Sequence, residues 1–127
     1  MGAAGGSFWT LEEANAALPR VRDTVERIRE LARRARAGGG EAGERTRGNG
    51  HAPSDPAAAE LAAAVDELTS QDIVLRDLES GLVDFPAVSP SGRRYWLCWL
   101  PGEAEVGWWH WPETGFAGRT PLDQPPE

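Results

Sequence analysis

Apolar residues recur at alternating spacings of three and four from Leu11 through Ala14, Leu18, Val21, Val25, Ile28 and Ala32. That spacing lays one stripe along a helix over residues 10–36. Thr10 followed by Glu13 marks its start, the hydroxyl accepting from the third helical amide while the carboxylate reaches back. Pro19 lies within the stripe, lacks an amide hydrogen, and predicts a kink or a split. A second helix should begin at Ser54 or Asp55, with Pro56 in its first turn, and carry Leu61, Val65, Leu68 and Leu75 before weakening ahead of Gly81. Residues 38–55 between them, from Gly38-Gly39-Gly40 through Gly48-Asn49-Gly50, read as a flexible Gly-rich linker with His51 solvated inside it.

After Gly81 the period shortens. Residues 81–85, 93–100 and 105–111 read as three short strands rich in aromatic and branched side chains, with turns at 87–92 and 101–104. The expected fold is α+β: an antiparallel helical hairpin packed against a three-stranded antiparallel β-meander. A single domain over 8–119 would have disordered tails at 1–7 and 120–127.

Composition narrows the function. With 40% hydrophobic and 26% charged residues the chain suits a globular protein, and a net charge of −7 opposes nucleic-acid binding. No apolar run approaches the roughly 18 residues of a membrane span, and no leader pattern opens the chain, so a cytoplasmic protein with no membrane partner is expected. The single cysteine, Cys98, excludes an intrachain disulfide and a multi-cysteine zinc site. All 13 basic residues are arginine, which excludes lysine nucleophiles. The first helix is rich in arginine and the second in acids, but exposed pairs contribute only about 0–1 kcal/mol each, so the apolar stripes must hold the hairpin. The first stripe equally suits a seam with a second copy, which gives an alternative reading as a non-catalytic homodimeric scaffold.

Four stretches carry a resemblance: Phe8 to Asn15, Gly81 to Pro86, Leu97-Cys98-Trp99, and Trp109-His110 followed by Gly115 to Arg119. Together they resemble the uncharacterised bacterial family called DUF2203. The resemblance implies a small cytoplasmic bacterial protein and brings no activity with it.

The candidate chemistry depends on register. A four-residue loop at 101–104 would set Leu97 opposite Trp108 and Tyr95 opposite His110, and the preceding turn would set Asp84 opposite Tyr95. Asp84, Tyr95 and His110 then share a face as candidate catalytic residues, and Cys98 lies on the other face with Trp96, Trp109 and Trp111. A Cys98–His110 nucleophilic dyad is disfavoured in this register, though a one-residue slip would reverse that. His110, Asp84, Glu13 and Glu113 are the candidate metal ligands, a mixed N/O set for zinc, iron or manganese. A small-molecule ligand would find aromatic walls in Trp99 and Trp108 and an anion contact in Arg119. Structural roles compete with each of these: Glu13 as the capping partner, the tryptophans as core, and His110 within a hydrogen-bonded network. The functional expectation is a metal-ion or small-ligand site around Asp84 and His110.

Overall fold

The computed structural model describes residues 8–46 and 56–127. Along the chain run α1 (Leu11–Thr46), α2 (Pro56–Thr69), β1 (Val74–Asp77), β2 (Leu82–Val88), β3 (Arg94–Trp99), β4 (Trp108–His110), a 3-10 turn (Phe116–Gly118) and β5 (Thr120–Pro121). The strands form one antiparallel sheet in chain order, β1-β2-β3-β4-β5. The class is α+β, and the sheet has five strands where three were expected.

Helix α1 opens on the expected capping pair: Glu13 N–H donates to Thr10 Oγ1 at 3.0 Å, and Thr10 N–H donates to Glu13 Oε1 at 3.1 Å. The helix runs unbroken through Pro19 instead of splitting there. Pro19 is exposed, so its ring displaces nothing from the core. The helical backbone also continues past residue 36, through Gly38–Gly40 to Thr46. An established helix extends cheaply, each glycine costing only about 1 kcal/mol relative to alanine. His51, the rest of the expected linker and the 1–7 tail lie outside the described residues.

The stripe of α1 is filled within the chain. Ala14, Leu18, Val21, Val25 and Ile28 join Ala64 and Leu68 of α2 and Val83, Phe85, Leu97, Trp99 and Trp109 of the sheet in one core. Arg27 pairs with Glu60, and Arg20 Nη2 donates to Gln71 Oε1 at 2.6 Å. With Val21, Val25 and Ile28 at most 1% exposed, the seam expected for a second copy is already occupied.

Helix α2 ends at Thr69, well before the limit near Gly81 that its stripe suggested. Asp72 sits at φ 66, Asp72 N–H donates to the Thr69 carbonyl, and Ile73 N–H donates to that of Leu68. This is a Schellman cap, with buried Ile73 and Leu68 forming its apolar contact. Leu75 therefore belongs to β1 and not to the helix.

Strand β2 includes Pro86, where the sequence reading ended the strand. Pro86 lies past the end of β1, on the open side, and its carbonyl accepts from Trp9 N–H at 2.7 Å. A missing amide hydrogen costs no ladder bond there. At the other end of the sheet, β5 pairs Pro121 with Trp108 and Thr120 with Trp109. Trp109 Nε1 donates to the Gln124 carbonyl at 2.9 Å, and Pro126 is buried. Residues 120–121 thus form an edge strand, and Pro126 is buried beyond it, where a tail was expected.

Candidate metal centre

Pairing fixes which side chains share a face. Asp84 lies opposite Cys98, and Cys98 lies opposite Trp108; one step along, Pro86 lies opposite Trp96 and Trp96 opposite His110. Relative to the sequence reading, the β3–β4 register has slipped by one and the β2–β3 register by three, since Asp84 faces Cys98 and not Tyr95. Tyr95 therefore moves to the helix-packed face, where it meets Trp109 and Trp111 edge to face at 5.7 and 6.3 Å. Cys98 moves the opposite way, onto the face of Asp84 and His110. The loop at 100–107 explains the β3–β4 slip: Glu103 accepts the Leu100 N–H on its carboxylate and the Trp99 indole on its carbonyl, and Val106 N–H reaches Asn15 Oδ1. Those ties hold a longer connection than the symmetric four-residue loop assumed.

Asp84, Cys98 and His110 come from β2, β3 and β4, and their donor atoms all lie within 4.8 Å of one another. All three residues are buried. His110 Nε2 lies 2.9 Å from Asp84 Oδ2, and His110 Nδ1 lies 2.8 Å from the Trp111 carbonyl. A carbonyl only accepts, so Nδ1 carries a hydrogen, and Nε2 faces Asp84 Oδ2. Arg76 Nε on β1 donates to the same Oδ2 at 2.8 Å. The other carboxylate oxygen, Oδ1, is buried with no hydrogen-bond partner. Burial, reinforced by the Asp84 charge and opposed by Arg119, pushes the Cys98 thiol up to about 12. A protonated, buried thiol is a poor nucleophile, so the slip does not create a cysteine hydrolase.

The other expected members fall elsewhere. Glu13 is engaged in its cap, and Glu113 pairs with Arg93. Trp99 is fully buried in the core beneath α1, with its indole spent on Glu103. Trp108 shares the site's face, and the Arg119 guanidinium stands 4.8 Å from its ring centroid. Arg119 Nη2 is bound to Glu103 at 2.9 Å, while its Nε is buried without a partner. Arg76 and Cys98 were missed as members of the site. The signal for Cys98 was the register alone, and Arg76 was masked by its assignment to a helix.

A cavity of about 240 Å³ opens on the cluster, lined by Arg76, Leu82, Asp84, His110, Pro112, Gly115 and Phe116. A larger groove of about 680 Å³ runs beside β1 and α2, walled mainly by apolar side chains, and Asp72 and Arg94 are its charged members. The convergent polar chemistry belongs to the smaller one. No helix among the described residues is long and apolar enough to cross a membrane.

A family model described as Uncharacterized conserved protein (DUF2203) matches residues 7–122, and the chain belongs to that family. No curated protein and no solved structure matches it.

Proposed function

We propose that this member of the DUF2203 family binds one divalent metal ion through Asp84, Cys98 and His110. The reading is carried by one observation: three ligand-type side chains from three adjacent strands converge within 4.8 Å beside a buried carboxylate oxygen that has no partner. An orphaned buried oxygen is costly, by about 1–3 kcal/mol, and a cation removes that cost. The Trp111 carbonyl fixes the Nδ1–H tautomer of His110. That tautomer leaves the Nε2 lone pair for a metal. A thiolate among the ligands favours zinc or iron(II) and counts against manganese. Three protein ligands leave a fourth position open towards the cavity, the arrangement of a site that admits a small molecule.

Zinc and cobalt titrations of chelator-treated protein test this. The wild type should take up one equivalent, and the cobalt form should show a thiolate-to-metal charge-transfer absorption. Cys98→Ala should abolish that band, and His110→Ala should weaken zinc binding at least about tenfold. Protein that takes up no metal, and whose His110→Ala variant only loses stability, refutes the proposal and leaves Arg76–Asp84–His110 as a structural hydrogen-bond network.

A further inference from the structure

Arg27, Arg33, Arg36, Arg93 and Arg119 each direct a terminal guanidinium nitrogen at a glutamate. Arg76 is built differently. It gives Nε to Asp84 Oδ2 at 2.8 Å, and its guanidinium carbon stands 4.8 Å from the Trp96 ring centroid. Its terminal nitrogens have no partner among the described residues, and its side chain is 41% exposed at the mouth of the cavity. A guanidinium held on one edge and one face, with its outer fork open, is oriented for an oxyanion that binds two donors at once.

The rest of the cavity narrows the ligand. About 240 Å³ holds roughly eight water volumes, which is room for a small ligand. Leu82, Pro112 and Phe116 supply apolar wall for a carbon segment. Asp84 Oδ1, buried and unpartnered, asks for a hydrogen donor. The Asp84 charge is offset by Arg76, so it does not repel a ligand carboxylate outright.

From this we infer that the cavity is a binding site for a small 2-hydroxycarboxylate, its carboxylate on the open fork of Arg76 and its hydroxyl donating to Asp84 Oδ1. The site does not need the metal, so it is tested on chelator-treated protein, where failure of the metal reading leaves the outcome intact. The probe is glycolate, followed by saturation-transfer NMR on its methylene protons, with acetate as the ligand lacking the hydroxyl. Saturable glycolate binding is expected, stronger than that of acetate. Arg76→Met keeps the stem over Trp96 and should weaken binding at least about tenfold. Arg76→Lys, a second variant in case the first fails to fold, keeps the charge without the fork and should also bind glycolate more weakly than wild type. Arg94→Met should bind as wild type does. No saturable signal, undiminished binding in the folded Arg76 variants, an equal loss in Arg94→Met, or acetate binding as tightly as glycolate overturns the inference.

Discussion

Burial of Cys98 beside Asp84 pushes its thiol up to about 12, whereas an unfolded thiol titrates near 8.5. The native state therefore holds a proton that the unfolded chain releases. Its contribution is fully present below the unfolded value and is lost as pH climbs towards the folded one, at a slope of at most about 1.4 kcal/mol per pH unit. Tyr95 adds a decline of the same sign further up, because burial raises its phenol too. Comparing metal-free wild type with Cys98→Ala isolates the thiol, since both carry Tyr95. Urea midpoints measured from about pH 8 to about pH 10.5 should fall more steeply for wild type than for the variant. Parallel curves would show that Cys98 is not held as a neutral, desolvated thiol.

At the scale of elements, the long period of α1 was legible because its apolar spacing repeats over many turns and its cap carries the Thr10–Glu13 signature. The end of α2 was not. Its Schellman cap puts Asp72, where glycine is usual, at φ 66, and Leu75 happens to extend the helical stripe into β1. Gly81 shows the opposite case, at φ +81, where an added Cβ would meet Val25 Cγ1 at 2.7 Å and Pro101 Cγ at 2.8 Å. Two substitutions with opposite outcomes follow. Asp72→Gly should stabilise the protein by about 0.5–1 kcal/mol by relieving the left-handed backbone. Gly81→Ala should cost roughly 2–4 kcal/mol, because backbone strain and overpacking act together. Denaturant midpoints check both, and a neutral Gly81→Ala would mean the α1–β2 approach is looser than described. The register of β3 on β4 was beyond local signals, since it depends on Glu103 within the loop and on Asn15 of the distant α1 tying that loop down.

The whole molecule is a sheet with two unlike faces, and that contrast explains how much of the site could be read in advance. The helix-packed face buries Val83, Phe85, Leu97 and Trp99, whereas the sequence reading put Leu97 and Trp99 on the face of Asp84. The other face buries Asp84 and His110, which the sequence reading put on one face through pairings the sheet does not make, together with Cys98, which it put on the opposite face. Its cover includes the segment from Pro112 to Phe116, and the sheet on that side ends in β5, which patterning reads as a proline-marked tail. β5 pairs with Trp108 and Trp109, immediately before His110, and Gln124 takes the Trp109 indole hydrogen. Deleting residues 120–127 removes those ladder bonds and that acceptor and uncovers an indole that is now 6% exposed. The cost should be roughly 2 kcal/mol or more in a urea melt. The same deletion touches no metal ligand, yet it unpins the strand that carries His110. Zinc affinity should therefore fall together with stability. Truncated protein that unfolds at the wild-type midpoint would place β5 outside the cooperative structure, and the site would then owe its geometry to β2, β3 and β4 alone.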